Sequence, residues 1–131
     1  MTTLAANAAR DFELGDINEL PVIASDIIYE GSAVGDNASG YARPLVAGDK
    51  FKGFAESKAD NASGAAGDVK VRCRARGRVS LSISGLVVGD LGKRVYASDD
   101  NVFTLTATSN SEIGVVYRFV SSGVGIVEFD T

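Results

Sequence analysis

The chain has no histidine and no tryptophan, one methionine, one cysteine and two prolines in 131 residues. Without histidine there is no imidazole to serve as general base, to complete a nucleophile triad or to ligate zinc. The single cysteine, Cys73, cannot build an internal disulfide framework or a cysteine metal cluster. No apolar run reaches the roughly 18 residues that a membrane-crossing helix needs. The opening stretch, MTTLAANAARDFELGD, has no basic start followed by an apolar segment, so no secretory signal is expected. The protein is expected to stay in a reducing cytoplasm, or to act after leaving it by another route. A helix signal is nearly missing too. Only Thr3 to Arg10 could wind, and an isolated alanine-rich stretch of about two turns is marginal in water.

What is present is strand and turn. The length suits one domain, read as an extended arm over residues 1–22 and a single β domain over residues 23–131. From Val69 to Ile83 the odd positions carry Val69, Val71, Cys73, Ala75, Gly77, Val79, Leu81 and Ile83. The even positions carry Lys70, Arg72, Arg74, Arg76, Arg78, Ser80 and Ser82. Side chains alternate across a strand, so this is a half-buried strand with a basic outer face. Fully extended it would be about 50 Å long, too much for a compact domain, and the unbroken parity predicts coiling or a corner at Gly77 rather than a simple bulge. Ile113, Val115, Tyr117 and Phe119 belong to a strand that is apolar on most of both faces, as expected of a central strand or of one at a subunit contact. Val127 and Phe129 alternate with Glu128 and Asp130 in a strand expected at the C-terminal edge. Shorter pieces are expected at Ile27–Glu30, Phe51–Lys58, Phe103–Ala107 and Arg94–Ser98. The pentapeptide DNASG occurs at Asp36–Gly40 and again at Asp60–Gly64, and reads as reused turn chemistry. Frequent turns between short strands predict an all-β fold, a small barrel or sandwich of antiparallel strands.

Few residues could carry chemistry. Asp99 and Asp100, followed by Asn101, sit between two strand signals and read as a hairpin turn rather than a catalytic pair. The two Asp-Asn sequences lack the alternating ligands and closing glutamate of a calcium loop. Cys73 is expected on the inward face as a buried thiol. No catalysis, cofactor or metal is expected.

Charge is more informative. The net charge of −4 conceals an acidic start, with six acids and one base before Gly31, and a basic stretch of five cations from Lys70 to Arg78. Same-face neighbours on that strand are about 7 Å apart and repel by roughly 0.6 kcal/mol per pair in water, before salt halves it. The stripe reads either as a solvated face matched by acids on neighbouring strands or as a contact for a protein partner, a sister subunit or nucleic acid. A protein is favoured over nucleic acid, because the chain is acidic overall and no aromatic residue alternates with the arginines. In the arm, Phe12 and Leu14 alternate with Asp11 and Glu13, a pattern able to add as an edge strand to a partner. The candidate contacts are therefore Arg10, Phe12, Leu14, Lys70, Arg72, Arg74, Arg76 and Arg78.

The segments AGDKFKGFAE, GDVKVRCRARGRV, SGLVVGDLGKRVYAS, VFTLTATSNSEIGVV and GVGIVEFD, in that order, resemble the small capsid cement, or decoration, proteins of tailed bacteriophages. The resemblance covers Ile23 to Phe129. It implies a β-barrel-like domain clamped to the outside of an expanded phage head, commonly a homotrimer at three-fold positions with its arm on the shell. The implied partners are the major capsid protein and further copies of the chain, with no membrane and no catalysis. The dense arginine strand and the acidic Asp11–Glu30 region depart from that family's pattern. Two other uses stay open, a phage tail or head-fibre subunit and a polyanion-binding β module reading through Arg72–Arg78.

Overall fold

A computed structural model describes residues 3, 5–11 and 13–131. Twelve strands form in order: β1 (Ile17–Pro21), β2 (Asp26–Ile28), β3 (Ala33–Asp36), β4 (Ala42–Pro44), β5 (Lys50–Ala55), β6 (Ala59–Asn61), β7 (Lys70–Arg74), β8 (Arg76–Ser82), β9 (Arg94–Ala97), β10 (Phe103–Thr104), β11 (Ser111–Ser121) and β12 (Val124–Asp130). A 3-10 turn, Val88–Asp90, lies between β8 and β9. One five-stranded sheet has the order β1-β7-β5-β3-β4, the other β10-β9-β11-β12-β8, and β2 pairs with β6 as a small third sheet. The strand pairs are antiparallel. This is a sandwich and not a closed barrel.

The long alternating segment explains how the sheets join. It breaks at Ala75, so β7 belongs to the first sheet and β8 to the second. Gly77 has φ +143, a backbone state that L side chains rarely adopt, and the corner spans Ala75–Gly77. Parity survives the corner, but the apolar side serves two cores. Val71 and Cys73 pack with Val22, Ile28, Val34 and Ala55 beneath the first sheet. Leu81 packs with Phe51, Phe54, Phe103, Val127 and Phe129 between the two large sheets. The phenylalanines meet edge-on, with ring centroids 5.1 Å apart for Phe54 and Phe129 and 5.2 Å for Phe51 and Phe54.

Two expectations are revised. The arm expected over residues 1–22 contains β1, Ile17–Pro21, paired along β7 from Ile17–Arg74 to Pro21–Lys70. β12 lies between β11 and β8 rather than at an edge, because its apolar residues Val127 and Phe129 complete the inter-sheet core. Both DNASG copies open with an Asx turn, as reused turn chemistry predicts: Asp36 Oδ1 accepts the Ala38 and Gly40 amides, and Asp60 Oδ1 accepts the Ala62 amide. In the second copy Asn61 is buried. β11 is the central strand of its sheet, as its two apolar faces suggest.

Candidate functional site

Three surface features border the corner and the open ends of the sandwich. The first is the arginine stripe. All four arginines are exposed, and each reaches an acid held by a neighbouring strand or loop. Arg72 stands opposite Glu19 of β1, at 3.7 Å, and donates from Nε to Glu56 at 3.2 Å. Arg74 also approaches Glu56, at 3.7 Å. Arg76 donates to Asp16 Oδ1 at 3.1 Å and to the Leu14 carbonyl at 2.7 Å. Arg78 stands opposite Glu128 of β12, donates to it at 3.0 Å, and lies 3.7 Å from the centre of the Tyr117 ring. Lys70, opposite Pro21, has no ion-pair partner among the described residues. Exposed pairs of this kind contribute about 0.2–1 kcal/mol each, and the stacked guanidinium adds about 0.5–1 kcal/mol. The stripe thus clasps β1, the end of β5, the start of the arm and β12 across the corner. Any external anion must compete with carboxylates already in place.

The second feature is the arm. Arg10, Asp11, Glu13 and Leu14 are exposed, Leu14 at 85%. Phe12 lies outside the described residues. Gly15 has φ +86 and bends the chain where it leaves the sandwich, beside Arg76. Glu13 borders a shallow recess with Glu19 and Arg72, on the β1 side of the sheet.

The third feature was not singled out from the sequence. Val87, Val88 and Leu91 expose 54%, 70% and 61% of their surface around the 3-10 turn, which packs against β11. Asp90 fixes this tip. Its carboxylate accepts the Val87 amide at 2.9 Å and Lys93 Nζ at 2.9 Å, and those two partners hold it below the ordinary carboxylate pKa. The signal was legible in principle, since GLVVGDLG concentrates apolar residues between glycines with no strand-like alternation.

Cys73 is fully buried, and burial pushes its thiol up to about 12, so it stays protonated. Arg43 and Asp49 form a bidentate pair at 2.9 and 2.7 Å that closes the turn before β5. Burial alone would raise Asp49, but the Arg43 guanidinium and the Val46 amide outweigh it and hold the carboxyl below its ordinary value. A recess of about 640 Å³ runs from Asp49 to Phe51 and past Arg94 and Glu112, which pair with each other. Among the described residues no three His, Cys, Asp or Glu side chains converge to hold a metal ion. Among the described residues no helix is long and apolar enough to cross a membrane. Comparison with protein-family models, with curated proteins and with solved structures finds no match.

Proposed function

We propose that the chain is a structural virion subunit that binds the outer surface of a phage head and stabilises the capsid, acting as a homotrimer on the major capsid protein and without catalysis. The observation that carries this is the exposed arm. An acidic segment bearing Leu14 at 85% exposure leaves the sandwich at a glycine bend, and its root is held by Arg76. A segment of that kind gains main-chain hydrogen bonds and apolar burial only on another surface. The apolar tip at Val87, Val88 and Leu91 offers a second contact on a rigid support. Bridging neighbouring shell subunits then resists their separation, because binding to the intact shell is linked to its integrity, and several weak contacts add through multivalency. The sequence resemblance to cement proteins points the same way.

The polyanion reading is weaker on these surfaces, since Arg72, Arg74, Arg76 and Arg78 are each engaged by a carboxylate of the same chain. The test uses emptied, expanded phage heads. Saturable binding that raises the temperature of head disruption supports the proposal, and deleting residues 1–14 should weaken binding at least tenfold. Heads that stay as heat-sensitive with the protein as without it would overturn the proposal. Retention on heparin that collapses with salt would favour the polyanion module.

A further inference from the structure

β8 is an edge strand with one side unused. The backbone of Ala75 and of Ile83 bonds toward β12, to Thr131 and Gly123, at 3.0 and 2.8 Å. By alternation Gly77, Val79 and Leu81 serve that same ladder, and the N–H and C=O groups of Arg78, Ser80 and Ser82 face the other side. No described residue pairs with that side between Arg76 and Ser82, and only beyond it does Ser84 meet Phe103. A groove of about 340 Å³ lies along the open side, lined by Phe54, Val79, Leu81 and Phe103 together with Ser80 and Ser82. The outer face of the strand carries Arg76 and Arg78. An unpaired edge of seven residues beside this groove is a template for an added strand.

We propose that this edge receives the arm of a second copy of the chain, residues Asp11–Leu14, as an added strand. Three observations fit that occupant. In an extended arm Leu14, with Phe12 by sequence, lies on the face opposite Asp11 and Glu13. The apolar face can then cover the groove while the acids stand beside Arg76 and Arg78, where they compete with Asp16 and Glu128 for the guanidinium groups. The chain's own arm departs on the wrong side. Ala75 donates to Asp16 and accepts from Thr131, so the arm root lies on the side of the strand that β12 occupies, and Glu13 continues along β1. The exchange is head-to-tail, each copy giving one arm and receiving one, and it limits itself where the rotation closes a ring. It shares self-association with the proposal above but needs no shell, so its test uses the protein alone.

Sedimentation equilibrium of the full chain should show an oligomer. Ser80→Pro removes an amide that faces the open side and leaves the β12 ladder intact, so it should raise the dissociation constant at least tenfold while the circular dichroism spectrum stays that of the folded chain. Deletion of residues 1–14 should do the same. Chains carrying Glu13→Cys mixed with chains carrying Arg78→Cys or Ser80→Cys should give interchain disulfides on mild oxidation, with Cys73 buried and silent. A chain that is monomeric at all concentrations, an oligomer indifferent to both Ser80→Pro and the deletion, or mixtures of the singly substituted chains that give no cross-link between Glu13→Cys of one and Arg78→Cys or Ser80→Cys of the other would each overturn the proposal.

Discussion

Asn61 and Asn37 occupy the same place in two copies of one pentapeptide, and their replacement by alanine should have very different costs. The Asn61 amide is buried and donates to the carbonyls of Ile23 and Ala65, at 2.8 and 3.0 Å, with Val22 O at 3.5 Å. It therefore ties the segment after β1 to the loop after β6. Its own Oδ1 has no partner, so the donors carry the loss. Removing two such bonds and leaving their acceptors unpaired costs about 3 kcal/mol. Asn37 Oδ1 accepts the Ser39 and Tyr41 amides at 2.9 and 3.2 Å at a half-exposed turn, where water can replace it. That loss is about 0.5–1 kcal/mol. At about 2.1 cal/mol/K per residue, a chain of 131 residues has an unfolding entropy of about 275 cal/mol/K. Asn61→Ala should then lower the melting temperature by about 11 °C and Asn37→Ala by about 2–4 °C. Asn61→Asp should be worse than Asn61→Ala, because a carboxylate cannot donate to carbonyls. Thermal melts by circular dichroism decide it. Equal shifts for the two alanine variants, or a wild-type melt for Asn61→Asp, would refute the reasoning.

Gly114 lies where β11 crosses close to β12. A Cβ there would sit 2.1 Å from the Glu128 carbonyl oxygen, so Gly114→Ala should destabilise by about 2–3 kcal/mol in urea titration. Cys73 should be unreactive toward a thiol reagent in the folded protein and react at the rate of unfolding once urea is added. Asp49 has a folded-state pKa below its unfolded one, so its contribution is present above about pH 4 and is lost as pH falls through the folded value. Stability of the wild type should therefore fall more steeply below that pH than stability of Asp49→Asn. Serine at Arg72 or Arg74 should cost about 1 kcal/mol or less, with a smaller loss in high salt, because both are exposed pairs.

Alternation revealed the long strand, its inward Cys73 and the central place of β11, because period two is a local property of the chain. What alternation could not say is which core a face enters. Val71 and Leu81 have the same parity yet pack on opposite sides of the corner. β3 was missed because Ala33, Val34 and Gly35 are all buried, so no polar face marks its period. β1 was missed for a related reason: Glu19 is a charged residue in an acidic stretch, and only its register opposite Arg72 shows why it is there. The partners of the stripe are equally remote. Arg78 meets a glutamate 50 residues away and Arg76 an aspartate 60 residues away. Acids on neighbouring strands were one of the open readings of the stripe, but choosing it required the strand order.

That pairing changes what the surface offers a partner. Among the described residues, seven of the 17 acids and seven of the 13 bases are joined in ion pairs. The arginines, which dominate the sequence by eye, are mostly spent inside the molecule, and the charge left over is acidic. Asp11 and Glu13 on the arm are part of that surplus. A contact surface for this chain, on a shell or on a sister copy, should therefore present bases to the arm and apolar groups to Leu14 and the Val87–Leu91 tip. The exception is Arg76. It grips the Leu14 carbonyl and Asp16 and borders the open edge of β8, so it stands where a departing arm and an arriving one would meet. Serine at this position removes the grip on the chain's own arm and part of the charge that would draw in another's. Its effect on association should therefore exceed its small effect on stability, and serine at Arg94, which pairs with Glu112 on β11, should show no such excess.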